Sequence, residues 1–101
     1  MSLRRFMAAA LAALLLASCG HGLSANAIGF RVESNVPDAV VWIDDVQIGT
    51  TREWSAPGRQ IRAGFHRVEI RHPGYYSFFQ EIDQPAGQVV VVNAQLHELV
   101  E

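Results

Sequence analysis

From Ile28 onward the chain sets apolar against polar residues with a period of two, in short stretches separated by turns. That period places successive side chains on opposite faces of a pleated strand, so that one face can be buried while the other stays wet. Ile28, Phe30 and Val32 alternate with Gly29, Arg31 and Glu33; Ala39, Val41 and Ile43 alternate with Val40, Trp42 and Asp44. Asp44-Asp45 reads as a tight turn into Val46-Gln47-Ile48, because aspartate tolerates the unusual backbone angles of a hairpin corner. Gly49-Thr50-Thr51 and Pro57-Gly58 punctuate an irregular stretch that holds Trp54. No segment of this region has helical spacing of useful length.

The second half continues in the same period. His66, Val68 and Ile70 share one face of a longer strand, opposite Phe65, Arg67, Glu69 and Arg71. Pro73-Gly74 ends it. Tyr75 to Ile82 reads as the next strand, with Tyr75 and Phe79 competing against Tyr76, Phe78 and Ile82 for the core. Pro85-Ala86-Gly87 turns the chain into Gln88 to Leu96, where Val90, Val92, Ala94 and Leu96 are expected inside. The run Val89-Val90-Val91-Val92 is an aggregation hazard on an open edge, so it is expected within the sheet. Six or seven short strands with regular turns predict an all-β fold, a small, mostly antiparallel β-sandwich.

The N-terminal segment follows a different logic. Arg4 and Arg5 precede an apolar run from Phe6 to Ala17 and then small residues, the layout of a secretory signal. Leu16-Ala17-Ser18-Cys19 resembles the lipobox of bacterial lipoproteins, in which the cysteine thiol takes a diacylglyceryl group before cleavage ahead of it. A thiolate is the soft nucleophile that such an alkylation needs. The run is about 12 residues, too short for a spanning helix of about 20. Cleavage after Ala25-Asn26-Ala27 is the alternative, giving a soluble exported domain, though it leaves a long stretch after the apolar run. A chance cysteine in a cytosolic protein fits the arginines and the alanine/leucine run poorly.

Removing residues 1–18 leaves about 83 residues, one small domain, with six arginines against ten acidic groups and no lysine. This mild acidity argues against nucleic acid as a partner and against electrostatic attraction to anionic lipid, so acyl chains must hold the protein to a membrane. With Cys19 taken by lipid, no thiol remains for a disulfide, a metal or nucleophilic catalysis. Residues 19–27 read as the lipidated N-terminus and a flexible tether, and 28–98 as the folded domain. Eight flexible residues have a mean reach of about 15 Å, which keeps the domain beside the lipid.

Across Phe30 to Leu96 the chain resembles the PEGA domain. Val32-Glu33-Ser34-Asn35-Val36-Pro37-Asp38-Ala39 is similar to that family's opening strand, polar turn and Pro-Glu-Gly-Ala-like corner. Val41-Trp42-Ile43-Asp44-Asp45 and Gly49-Thr50 match its Val-x-Ile-Asp-Gly hairpin and Gly-Thr. Gly64-Phe65-His66-Arg67-Val68 and Pro73-Gly74-Tyr75 match Gly-x-His-x-Val and Pro-Gly-Tyr. Asp38 and Asp45 depart from glycines of the pattern, both at turn positions that aspartate can fill. The resemblance implies an Ig-like sandwich in an envelope or surface module with no catalytic residue set.

Few residues compete as chemical sites. His66 reads as a buried histidine bonded to a loop carbonyl; a metal site with His72 and Asp44 or Asp45 would need three or four ligands converging. Asp44 and Asp45 diverge as neighbours on a hairpin corner, which suits a turn better than paired acid–base work. Ser18, Ser34, Ser55 and Ser77 lie in no nucleophile-like context. Trp42, Phe65, Arg67 and Tyr76 form a candidate binding patch: outward aromatics can stack on a sugar ring or a partner protein, with Arg67 and Arg71 covering them by cation–π contact. Cross-strand pairs that only stabilise the sheet are the competing reading.

Together these readings predict a non-enzymatic lipoprotein without cofactor or metal. It would be anchored to the outer membrane through lipid on Cys19, with its domain in the periplasm; the cell surface and the soluble periplasm are the alternatives. Gly20 after the cysteine, in place of aspartate, fits that sorting. An envelope protein or a glycan such as peptidoglycan is the expected partner.

Overall fold

The computed structural model describes residues 22–100. Seven strands form two sheets, with no helix among the described residues. They are β1 (Ala27–Ser34), β2 (Val40–Ile43), β3 (Val46–Thr50), β4 (Arg59–Arg62), β5 (Gly64–Arg71), β6 (Phe78–Gln84) and β7 (Val89–Ala94). One sheet runs β4-β1-β7 and the other β3-β2-β5-β6. All pairings are antiparallel except β1 with β7, so the first strand lies beside the last.

The alternation places the core as expected. Ile28, Phe30, Val32, Ala39, Val41, Ile43, Val68, Ile70, Val92, Ala94 and Leu96 are buried, and Val90 packs partly against them. Asp44 and Asp45 take positive φ of 50° and 67°, the two left-handed residues of a mirror-image hairpin turn.

Three features depart from the sequence reading. Arg59–Arg62 forms a separate strand whose single apolar residue, Ile61, leaves no periodic signal. The strand expected from Tyr75 begins at Phe78, because the chain leaves the ladder through Tyr76. Phe78 and Ile82 then face inward while Tyr76 and Phe79 are exposed; Tyr75 still packs on the core from a lone bridge to Glu98. The tetravaline run lies on β7 at the open edge of the three-stranded sheet, not within it. Its inward residues pack into the core, but among the described strands only β1 pairs with it.

The irregular stretch between β3 and β4 closes one side of the sandwich. Trp54 enters the core, meets Phe30 edge-on at 5.7 Å, and donates its indole N–H to the Ile48 carbonyl at 3.0 Å. Its carbonyl accepts the Val32 amide at 2.8 Å. The buried Thr51 hydroxyl donates to the Val36 carbonyl. Opposite, the Asn35 side chain accepts from the Leu96 amide at 2.8 Å and donates to its carbonyl at 2.9 Å, as a neighbouring strand would.

Candidate functional site

The outer face of the four-stranded sheet carries most of the expected patch. Register places Trp42 beside Glu69 and Glu69 beside Phe79; Arg67 faces Glu81, and Phe65 faces Asp83. All of these alternate with the buried Val41, Ile43, His66, Val68, Ile70 and Ile82.

Trp42 is not a bare platform. The Arg71 guanidinium lies 4.5 Å from its ring centroid, and Glu69 holds Arg71 through paired hydrogen bonds, one at 2.8 Å. That stack covers one face of the indole, and its N–H has no partner among the described residues. On the strands of this face Phe65 and Phe79 are open, 55% and 70% exposed, and Tyr76 beyond them is 55% exposed. Phe65 lies four residues along β5 from Glu69, about 14 Å at strand spacing, so it shares a face with Trp42 without touching it. Tyr76 lies off the ladder, its amide bonded to the His97 carbonyl at 2.8 Å. The four expected residues therefore form a spread surface, and Phe79 belongs with them. Its facing was ambiguous in sequence because the period breaks at Tyr76-Ser77.

The histidines go to separate places. His66 is buried, with Nδ1 2.6 Å from Asp44 Oδ2 and Nε2 donating to the Arg62 carbonyl at 2.6 Å. Asp44 also accepts the Arg67 amide at 2.9 Å. That amide is the main reason its carboxyl stays below the ordinary 3.8; partial burial opposes the shift and His66 adds to it. Both ring nitrogens are engaged, so His66 offers no free base or metal lone pair; it ties the β2–β3 corner to β5. His72 lies at the surface between the Pro73 carbonyl at 2.8 Å and Asp38 at 3.1 Å. The Pro73 carbonyl first, and Asp38 second, raise its pKa above 6.5. Among the described residues no group of three or more His, Cys, Asp or Glu could hold a metal ion. Leu16, Ala17, Ser18 and Cys19 lie outside the described residues.

The chain just before β1 is tied down. The Ser24 amide and hydroxyl donate to Gln60 Oε1 at 3.2 and 3.0 Å, and Ala63 donates to the Asn26 carbonyl at 2.8 Å. Leu23 joins Gly29, Pro57, Gln60 and Val89 in a shallow hollow of about 250 Å³ on the outer face of the three-stranded sheet.

Two sheets packed face to face, with outward aromatics and a histidine spent on structure, define a small β-sandwich module. The PEGA domain family model matches residues 28–99, from the start of β1 to beyond β7. The chain belongs to the PEGA domain family. No curated protein and no solved structure matches it.

Proposed function

We propose that this protein is a non-catalytic envelope lipoprotein, a PEGA module held to a membrane by lipid on Cys19 and acting there as an interaction or scaffold domain. The observation that carries the reading is the Leu16-Ala17-Ser18-Cys19 box placed just ahead of a domain whose first bonded residue is Ser24. Four residues lie between Cys19 and Ser24, so the five Cα steps span at most about 18 Å of extended chain and the anchor would hold the module against the lipid. Gly20, in place of aspartate after the cysteine, fits outer-membrane sorting with the domain in the periplasm.

The pairing of Ala27 with Arg62 and the bonds of Ser24 and Asn26 support processing upstream of them. A cut after Ala27 would discard all three contacts. Radiolabelled palmitate incorporated into the wild-type chain and lost in Cys19→Ala is the expected result. Equal label in the mutant overturns the anchor.

The exposure of Phe65 and Phe79 on one sheet face favours a second reading, a glycan or peptidoglycan surface. Retention on purified sacculi should then fall in Phe65→Ala and Phe79→Ala. Unchanged retention removes those rings from the argument and leaves a protein partner.

A further inference from the structure

The three-stranded sheet ends on β7, and no other strand of the described residues pairs with that edge. The Gly29 amide donates to the Gln88 carbonyl at 2.9 Å. In an evenly spaced parallel ladder this directs the backbone groups of Val90, Val92 and Ala94 toward β1, and those of Val89, Val91 and Asn93 outward. No hydrogen bond joins those outward backbone groups to other described residues. The side chains of Val89 and Val91 are 66% and 40% exposed.

The other three edges are blunted. Strand β4 carries Arg59 and Arg62, β6 carries Glu81 and Asp83, and β3 slips register against β2 between Val41 and Trp42. Charges and irregular register are the devices by which edges avoid pairing. Strand β7 reads Val-Val-Val-Val-Asn-Ala and has neither.

We propose that β7 pairs antiparallel with β7 of a second copy of this chain, about a two-fold axis at Val91, fusing the two three-stranded sheets into one. Val91 then meets itself and Val89 meets Asn93 of the other copy, with the outward backbone groups forming the ladder. The strand carries no charge, so self-pairing brings no like charges together, whereas a charged partner strand would find no complement. This symmetric use of one patch closes the assembly at two copies.

Where the chain leaves the domain favours the same occupant. Leu23 lies on the outer face of this sheet, beside Gly29 and Val89. A two-fold axis normal to the sheet keeps that face on the same side in both copies, so the two Leu23 residues lie on one side of the fused sheet, as two anchors in a single membrane would require. This last point rests on the lipid anchor proposed above; the edge itself does not. Confinement to one membrane would raise the effective concentration for pairing.

The test uses the full-length chain in isolated membranes, with Val91→Cys oxidised by copper phenanthroline. Residues paired across the axis lie within disulfide reach. The expected result is a cross-linked dimer for Val91→Cys and none for Phe79→Cys, an exposed control on the other sheet. In detergent, light scattering should give a dimer mass for wild type and a monomer mass for Val91→Lys, with circular dichroism checking the strands. A monomeric wild type, or Val91→Cys that links no better than Phe79→Cys, overturns the proposal. Wild-type chain oxidised in parallel reports separately on Cys19. A wild-type disulfide dimer reveals a free thiol and sinks the anchor, and the edge is then read in a Cys19→Ala background.

Discussion

Single residues hold this small fold at points where no neighbour can substitute. Gly58 takes φ of +87° under β1, and a Cβ there would come 2.5 Å from the Phe30 carbonyl oxygen and 2.7 Å from Arg31 Cβ. Backbone cannot retreat as a side chain can, so Gly58→Ala should cost about 3 kcal/mol in urea unfolding. A loss under about 0.5 kcal/mol, typical of a surface site, would mean the turn re-forms. Asp44 and His72 respond to pH in opposite senses. Asp44 has its pKa lowered, so its contribution is complete above 3.8 and is lost as pH falls through the lower folded value. The acid side of the stability profile should therefore flatten in Asp44→Asn. His72 has its pKa raised, so its contribution is complete below 6.5 and is lost as pH rises through the folded value. In a proton NMR titration the His72 midpoint should lie above 6.5 and move partway back in Asp38→Asn, since the Pro73 carbonyl remains. A midpoint unmoved by that substitution would show Asp38 to be a bystander.

At the scale of elements, what sequence could reveal depended on burial. Strands β1, β2 and β5 bury every second residue, and their faces follow from period two alone. Strand β4 does not, because Arg59, Gln60 and Arg62 face solvent or cover Trp54, whose ring lies 5.3 Å from the Arg59 guanidinium. Its pairing with β1 is set by backbone and by the turn at Gly58, which carry no apolar pattern. The edge position of β7 was hidden for a different reason. Four consecutive valines, with Val90 and Val92 inward, read as a strand within the sheet, and pattern cannot tell an edge from a centre when the partner, β1, lies 60 residues away. The aromatic patch was half legible: alternation put Trp42, Phe65 and Arg67 outward, while Arg71 over Trp42 and the break at Tyr76 needed three dimensions. Trp54 stood in an irregular segment, where alternation gives no facing. Its truncation tests how far that segment is part of the core. Trp54→Ala removes a buried ring, an edge-on contact and a bond to Ile48, and should cost about 3–5 kcal/mol, a large share of what so small a domain has. A loss below about 1 kcal/mol in equilibrium unfolding would make the stretch a dispensable loop.

For the whole molecule, the decisive pairing is that of β1 with β7, which joins the ends of the domain. Strand β1 is the centre of its sheet and β5 lies inside the other, and their inward side chains meet in one core. Neither sheet has an apolar face that could be buried alone. The connections also cross between sheets: β1 leads into β2, β3 returns through the Trp54 segment to β4, and β6 leads back to β7. Opening the three-stranded sheet would strip Phe30 and Val92 from Val41 and Ile70, so the sheets should open together. Native-state hydrogen exchange should then give the slowest amides of β1 and β5 one shared free energy, equal to that of global unfolding. Deleting residues 89–100 should abolish the circular-dichroism signal of both sheets, because the deletion takes Val92, Ala94 and Leu96 out of the common core. Separate exchange free energies, or a β3-β2-β5-β6 sheet that survives the deletion, would show two loosely joined halves in place of one cooperative sandwich.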